Sequence, residues 1–378
     1  MVLRETQLLE KLVACNTVNP PGNERALAVQ IAAWAHGLGL SAELQELSEG
    51  RANLLVHIGK PGGKRLIFNG HLDTVPASDQ WHTNPFQLSP TGDGWLAGLG
   101  SSDMKGGVAC MMTAAEQLLQ EGFPFQGELL LCFVADEECD DLGTRRFLRD
   151  MPKADGCVIG EPTDLHVCVA HRGVCRHRVT IEGRSCHASN PDDGVNAVEK
   201  MALFACEIPP LHRRLQQERH PILPPASVAV TTFHGGDKHN IIPQWCEAVL
   251  DWRTLPGQTE PVVRAELTSL LSRLSHNEQD FQYSLTEIVS VAAGELPVEH
   301  PFVKQCLTAA QGALNSPAFP QAFPACGEQA LFLKAGIPTI FFGPGAIKQA
   351  HTVDESIQEQ QLPLATAFYH ALVQEMLG

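Results

Sequence analysis

The chain has 378 residues, of which 43 are acidic and 27 basic, so its formal net charge is −16 with His neutral. This charge excludes nucleic acid and an anionic membrane surface as expected partners, because both attract clustered Lys and Arg. Hydrophobic residues make up 44% and charged residues 19% of the sequence, which is typical of a soluble globular protein long enough for two domains.

The start of the chain and its cysteines indicate the cellular compartment of the protein. Residues 1–6 lack the apolar core and cleavage site of a signal peptide, and no apolar run reaches the roughly 18 residues that a membrane span needs. The 12 Cys are scattered singly, without a Cys-x-x-Cys pair, so they are expected to be small buried residues under reducing conditions. We therefore expect a cytoplasmic protein.

The first part of the chain alternates between helix and strand patterns. Helix-like runs lie at 3–14, 24–36, 108–120 and 143–150, and strand-like runs lie at 42–47, 53–58, 66–69, 128–135 and 157–159. The run 128–135 is nearly all apolar, as in a central strand buried on both faces. A polar, turn-rich passage leads to Leu96. The alternation predicts an α/β domain with helices packed on both faces of its sheet.

The pattern changes near His171–Gly173 and resumes near Val289. Between them, strand-like runs lie at 174–181, 228–233, 248–252 and 281–285, and helix-like runs lie at 194–206 and 260–274. This arrangement predicts a small α+β insert, in which the Pro-rich passage 208–225 forms a surface connection. After it, helix-like runs lie at 301–315, 327–335 and 359–377, with a strand at 338–342. We expect a main domain of two segments, 1–172 and 289–378, with an inserted domain at 173–288.

A carboxylate or a His stands at five places where a strand or a loop ends. They are His71, Asp103, Glu137–Glu138, Glu161 and His351. Each has an ordinary alternative: a polar strand end, a helix cap, a solvated loop, a turn residue and an exposed loop His, respectively. Together they match the ligands and the base of a two-metal hydrolytic site. Imidazole and carboxylate without thiolate favour Zn²⁺, with Co²⁺ or Mn²⁺ as alternatives.

Several longer motifs make the sequence recognisable. They are Gly70–Pro76, Ala170–Gly173, Gly194–Ala197, His234–Asp237, Gly343–Gly345, Gln349–His351 and Asp354–Glu355. The chain resembles, over essentially its full length, the di-zinc deacylase and exopeptidase family of acetylornithine deacetylase, succinyl-diaminopimelate desuccinylase, aminoacylase and the glutamate carboxypeptidases (carboxypeptidase G). Its motifs are most similar to the acetylornithine deacetylase branch. The resemblance implies a mixed-sheet, zinc-exopeptidase-like α/β catalytic domain with an inserted α+β, ferredoxin-like lid and dimerisation domain.

The resemblance also implies roles for the residues at the strand ends. Asp103 bridges two Zn²⁺ ions, and a cis peptide bond follows it. His71 and Glu161 complete one ion, and Glu138 and His351 complete the other. Glu137 is the general base that takes a proton from water and returns it to the leaving amine. Asp73 hydrogen-bonds the second ring nitrogen of His71.

The resemblance implies further roles for residues of the lid domain. One segment departs from the family pattern. His187 stabilises the oxyanion, commonly in the active site of a partner subunit, although on its own it reads as a surface loop His. Asn240 and Arg253 hold the substrate carboxylate, the alternative for Arg253 being a pair with Asp251. The segment Ala325–Ala330 departs from the family by an inserted-looking Gly and Gln, and our hypothesis is that its Glu328 attracts a cationic side chain such as ornithine's.

The resemblance thus implies a hydrolase of N-acyl amino acids, a small-molecule substrate class, in a homodimer formed through the lid. The first choice is conversion of N-acetylornithine to ornithine and acetate, a step of arginine biosynthesis. A desuccinylase, dipeptidase or carboxypeptidase activity is the alternative within the family. An inactive relative that only binds partners is disfavoured, because Glu137 and every expected metal ligand are present.

Overall fold

The computed structural model describes residues 2–150 and 153–378. Contacts divide the chain into two compact units. The two-segment unit runs to Ala170 and resumes at Glu295, and the insert comprises His171–Gly294. We expected the insert at 173–288.

The bounds of the regular elements are as follows. The helices are α1 Arg4–Val13, α2 Glu24–Gly37, α3 Gly106–Gln120, α4 Leu142–Asp150, α5 Ala197–Leu215, α6 Glu260–Asn277, α7 Pro301–Leu314, α8 Gln329–Lys334 and α9 Gln361–Leu377. The strands are β1 Ser41–Ser48, β2 Arg51–Gly59, β3 Arg65–His71, β4 Ser89–Gly92, β5 Trp95–Ala97, β6 Glu128–Val134, β7 Gly156–Ile159, β8 Cys168–His171, β9 Gly173–Glu182, β10 Ser227–Gly235, β11 Trp245–Thr254, β12 Gln282–Val291, β13 Gly294–Glu295, β14 Gln321–Phe323, β15 Thr339–Phe341 and β16 Ser356–Gln358. Within the described ranges, no helix is both long enough and apolar enough to span a membrane.

A mixed sheet forms the centre of the two-segment unit. Its strand order is β1-β2-β6-β3-β7-β15-β8-β13, and β14 pairs with β8. Strand β3 pairs in parallel with β6 and β7, and β15 pairs in parallel with β7, whereas β1, β2 and β6 are joined by antiparallel pairs. All seven residues of β6 are buried, which confirms the prediction of a central strand. The predicted mixed sheet is confirmed.

Helices cover both faces of this sheet, as neighbouring residues of β3 show. Successive side chains of a strand point to opposite faces. Ile67 belongs to a buried cluster with Phe147 of α4 and Phe332 of α8. The ring of Phe68 lies 4.9 Å from that of Tyr369 in α9. The predicted layers of helix, sheet and helix are therefore present.

The parallel strands determine where polar side chains gather. Strands β3, β6, β7 and β15 run in the same direction, so their carboxyl ends lie at one edge of the sheet. His71 is the last residue of β3, Glu137 follows β6, and Glu161 follows β7. Residues far apart in the sequence are thus brought to one edge.

The insert has its own antiparallel sheet, in the order β10-β11-β9-β12, with helices α5 and α6. The expectation that the Pro-rich passage 208–225 of the insert is a surface connection is wrong for its first part. The Pro-rich passage does not begin as a loop after Cys206, because α5 continues through Pro209 and Pro210 to Leu215. Its buried residues Phe204, Ile208, Leu211 and Leu215 keep helical spacing. Burying this apolar face outweighs the backbone hydrogen bonds that the prolines remove.

A second correction concerns the passage before Leu96, where no strand was expected. It contains β4 and β5, which form a three-stranded sheet with β16 in the order β16-β5-β4. Strands of three or four residues with polar or Pro residues give too weak a periodic signal to recognise. The short strands β8, β13 and β14 were missed for the same reason.

Candidate metal centre

Asp103 lies between two histidines. Its Oδ1 is 3.1 Å from Nε2 of His71, and its Oδ2 is 3.4 Å from Nε2 of His351. The same nitrogen of His71 is 3.6 Å from Oε1 of Glu161, and that of His351 is 3.1 Å from Oε2 of Glu138. One carboxylate therefore presents each of its oxygens to a different His and carboxylate pair.

Two sets of donor atoms are compact enough to hold a cation. The donor atoms of His71, Asp103 and Glu138 all lie within 4.8 Å of one another, and so do those of His71, Glu137 and Glu161. The structure thus brings together all the expected ligands and the expected base. Their individual roles remain predictions.

The electrostatics of the cluster fit cations. Burial raises the pKa of Glu137, Glu138 and Glu161, and the charges of neighbouring carboxylates raise it further. Burial also opposes ionisation of Asp103, but its hydrogen bond with His71 holds its pKa below the usual value. Buried carboxylates this close together repel one another, and bound cations offset that repulsion. Oxygen and imidazole nitrogen donors without sulfur suit Zn²⁺, Co²⁺ or Mn²⁺.

Asp73 orients His71 in a different way from the one we expected. Nδ1 of His71 lies 2.9 Å from the backbone carbonyl oxygen of Asp73 but 3.7 Å from its carboxylate Oδ1, which is too long for a hydrogen bond. A carbonyl can only accept, so this contact places a proton on Nδ1 and leaves Nε2 to face Asp103 and Glu161. The second nitrogen is held by the backbone of Asp73, and the carboxylate is free for other partners.

Those partners are the backbone of the two adjacent glutamates and an asparagine. The Asp73 carboxylate accepts the N–H groups of Glu137 at 3.2 Å and Glu138 at 3.1 Å, and the side-chain amide of Asn19 at 2.9 Å. Asn19 also donates to Oδ1 of Asp136 at 2.9 Å. Sequence reasoning missed this role of Asn19, because nothing in its local sequence indicates a contact with residues so far along the chain.

The insert brings His187 and Asn240 together. The backbone N–H of Ala188 donates to the carbonyl oxygen of Asn240 at 3.0 Å, and His187 forms a β-bridge with Ile241. The ring of His187 contacts the hydroxyl of Ser189 at 2.8 Å. Both predicted residues are therefore presented by one pair of adjoining backbone segments.

Arg253 is paired with Asp251, the alternative that the sequence left open. Its Nε lies 2.7 Å from Oδ1 of Asp251, whose Oδ2 lies 2.8 Å from Nε of Arg176. Both guanidinium groups lower the pKa of Asp251 against the effect of its partial burial. Two cations share one carboxylate, so a positive charge is left over at this partly buried position.

The structure corrects the hypothesis that Glu328 attracts a cationic side chain of the substrate. It is only 2% exposed, and its carboxylate accepts hydrogen bonds from Asn69 at 2.8 Å and from the hydroxyl of Thr144. Burial and the charge of Asp141 raise its pKa to about 7. The neighbouring Gln329 donates to the carbonyl oxygens of Val169 and Thr339. Glu328 and Gln329 of the departing segment are therefore buried, and the carboxylate of Glu328 is engaged by Asn69 and Thr144.

Comparison with known proteins gives relatives over most of the chain. The sequence profile of Peptidase family M20/M25/M40 matches residues 67–375. An acetylornithine deacetylase of Edwardsiella ictaluri is 35% identical over 350 residues, covering 88% of this chain and 86% of that protein. An acetylornithine deacetylase of Vibrio cholerae is 32% identical over 343 residues, with the same coverage of 88% and 86%.

Solved structures share the fold. A tripeptidase from Staphylococcus aureus superposes with a TM-score of 0.82 at 19% identity, covering 99% of this chain and 98% of that one. A dinuclear metal-binding peptidase of the M20 family from Bacillus subtilis gives a TM-score of 0.75 at 15% identity, covering 99% and 98%. At these identities the likeness concerns the fold, which confirms the predicted mixed α/β architecture.

Proposed function

The chain belongs to peptidase family M20/M25/M40 and is a metal-dependent hydrolase, and we propose that it hydrolyses the amide bond of N-acyl amino acids, with N-acetylornithine as the substrate. The observation that carries this proposal is the position of Asp103, whose two oxygens face His71 and His351. One carboxylate between two equivalent donor sets is the arrangement that a pair of metal ions needs.

The residues divide into two ligand sets around that carboxylate. His71 and Glu161 would hold one ion and His351 and Glu138 would hold the other, with Asp103 as a ligand common to both sets. We propose Zn²⁺ at each position, with Co²⁺ or Mn²⁺ able to replace it. When bound, the ions polarise the amide carbonyl and increase the acidity of water.

Glu137 moves the proton. Burial favours the protonated form of its carboxyl group, and the charges of the nearby carboxylates add to this preference. A carboxyl group whose protonated form is favoured can take a proton from water and hold it until it is delivered, which is what a general base that later acts as the acid must do. We assign to Glu137 the removal of a proton from the attacking water and its delivery to the nitrogen of the leaving amine.

The insert supplies substrate contacts in this proposal. His187 donates to the oxyanion of the tetrahedral intermediate. Asn240 and Arg253 hold the carboxylate of the amino acid, and the surplus positive charge that Arg253 and Arg176 leave beside Asp251 supports this assignment. Ornithine as the amine product rests on the relatives at 32–35% identity, because the carboxylate of Glu328 is already engaged by Asn69 and Thr144.

We also propose a homodimer formed through the insert, in a cytoplasmic enzyme. Apolar side chains remain exposed on the insert, among them Phe233 at 40%, Trp245 at 44% and Ile288 at 42%. Contact with a second copy would cover them. Sedimentation equilibrium tests this point: a mass near twice 41.0 kDa supports it and a single-chain mass contradicts it.

The substrate is tested with metal-stripped protein to which Zn²⁺ or Co²⁺ is returned. Release of free amine is measured with N-acetylornithine, N-succinyl-diaminopimelate and several dipeptides. We expect metal-dependent release from N-acetylornithine. Clear turnover of another compound without release from N-acetylornithine would overturn the deacetylase assignment in favour of the desuccinylase or peptidase alternative.

A further inference from the structure

Glu355 accepts several hydrogen bonds from the loop that carries Asp103. Its Oε1 accepts the backbone N–H groups of Ser102 at 2.8 Å and Asp103 at 2.9 Å, and its Oε2 accepts that of Gly100 at 2.9 Å. Its own backbone carbonyl accepts the N–H of Gly98 at 2.9 Å. One residue thus binds four backbone N–H groups within a six-residue stretch that ends at the central carboxylate.

The loop is shaped to receive an anion. Gly100 has a φ of 77°, in the left-handed region that favours glycine, and the turn after it points successive N–H groups at one place. Glu355 is 2% exposed, so these N–H groups replace the water that its carboxylate would otherwise bind. The buried ammonium group of Lys105 interacts electrostatically with it. A buried, fully bonded carboxylate is a rigid attachment point.

This attachment joins two parts of the metal centre. Glu355 is four residues after His351 and is bonded to the backbone N–H of Asp103. The segment that supplies one His is therefore fixed to the loop that supplies the shared carboxylate. Oδ2 of Asp103 and Nε2 of His351, which belong to the two segments that this attachment joins, lie 3.4 Å apart.

We propose that Glu355 is a positioning residue of the metal centre, which holds the Asp103 carboxylate between the two proposed ligand sets. The proposal rests on the metal-dependent function above. Glu355 acts by holding the backbone N–H groups of the loop and is not one of the proposed ligands. Residues of this kind tune metal affinity as well as stability.

The adjacent residue provides a matched control. Asp354 is also a carboxylate that accepts backbone N–H groups, those of His82 at 2.9 Å and Thr83 at 3.3 Å. The segment of His82 and Thr83 carries none of the proposed metal ligands. Asp354→Asn therefore shows how metal affinity and stability change when a loop beside the site is loosened. Glu355→Gln shows that change plus any effect on Asp103.

The experiment measures metal binding directly. Metal-stripped parent protein, Glu355→Gln and Asp354→Asn are titrated with Zn²⁺ in a calorimeter, and the absorption spectra of their Co²⁺ forms and their thermal midpoints are recorded. We expect Glu355→Gln to weaken the affinity of at least one ion by about 10–100-fold and to change the Co²⁺ spectrum. Asp354→Asn should keep the parent affinity and spectrum.

Parent-like affinity and spectrum in Glu355→Gln would overturn the proposal, even if its thermal midpoint fell, since Glu355 would then only stabilise the fold. If Glu355→Gln does not fold, Glu355→Asp decides by the same two readouts, because it keeps the charge and withdraws it by one methylene group. A parent protein that binds no metal would overturn the proposed function, and that result is distinct from equal binding by parent and variant.

Discussion

The backbone N–H of Glu137 donates to Oδ1 of Asp73 at 3.2 Å. Because Oδ2 of the same carboxylate accepts the N–H of Glu138 at 3.1 Å, Asp73 holds the proposed base and a proposed ligand by their backbone. The backbone carbonyl of Asp73 meanwhile holds the ring of His71. One residue thus orients side chains of both ligand sets.

Replacing Asp73 should therefore weaken the centre without dismantling it. Asp73→Asn turns one acceptor oxygen into a donor and must lose the hydrogen bond from Glu137 or Glu138, while the carbonyl that orients His71 stays. We expect a loss of about 10–100-fold in metal affinity or turnover. His71→Ala should lose an ion outright. Metal content and turnover measure both, and equal losses in the two variants would contradict the distinction.

Substitutions at the adjacent residues Glu137 and Glu138 should have different effects. Loss of Glu137 should impair catalysis, and loss of Glu138 should impair metal binding. Glu137→Ala should still bind two ions but lose turnover by about 10²–10⁴-fold, because a positioned base contributes that much. Glu138→Ala should bind one ion fewer, since Oε2 of Glu138 faces His351 at 3.1 Å. Metal stoichiometry and steady-state rates are measured on the same samples. An active Glu137→Ala protein would remove Glu137 as the base.

The cluster of candidate metal ligands could be predicted from the sequence because its signal is local. His71, Glu137 and Glu161 each follow an apolar strand, and parallel strands bring their carboxyl ends to one edge. A strand's composition can be read along the chain, and the meeting of the ends then follows from sheet geometry. The central strand at 128–135 and the mixed sheet were predictable for the same reason.

The contacts that hold this cluster could not be predicted from the sequence. Whether the carbonyl or the carboxylate of Asp73 faces His71 depends on differences of about one ångström that only the packed structure determines. The sequence places Glu328 near the start of a helix-like run and gives no sign of its partners, yet Asn69 and Thr144 bind its carboxylate in the interior. Pro209 predicts a helix end, yet the buried face of α5 carries the helix past it. In each case tertiary contacts override a local preference.

Arg51 should be far more important for stability than an exposed arginine nearby. It pairs with Glu24 at 2.5 Å and with Asp136 at 2.8 Å, and the side chains of both acids are almost fully buried. Arg51→Ala would leave two buried carboxylates without their cation, which costs about 3–5 kcal/mol. Arg25, whose pair with Glu46 is about half exposed, serves as the control, and Arg25→Ala should cost less than about 1 kcal/mol. Urea unfolding of both variants measures the difference, and similar losses would contradict the prediction.

Glu328 should make the stability of the protein depend on pH. Its pKa is raised from 4.5 to about 7 in the folded chain, chiefly by burial, so folding favours the protonated carboxyl. The unfolded chain ionises at lower pH, and the fold therefore loses stability as the pH rises from about 4.5 to about 7. The loss is on the order of 3 kcal/mol when the group is fully ionised.

The matched variant is Glu328→Gln, which keeps the shape of the protonated carboxyl and removes its titration. Oδ1 of Asn69 has no hydrogen-bond partner among residues 2–150 and 153–378, so a rotated Asn69 amide can accept from the new amide group. We expect Glu328→Gln to be the more stable protein at pH 8, and its advantage over the parent to shrink steadily as the pH falls towards 5. Free energies of unfolding from urea titrations at several pH values measure this difference. A difference that stayed constant with pH would show that Glu328 does not change its ionisation on folding.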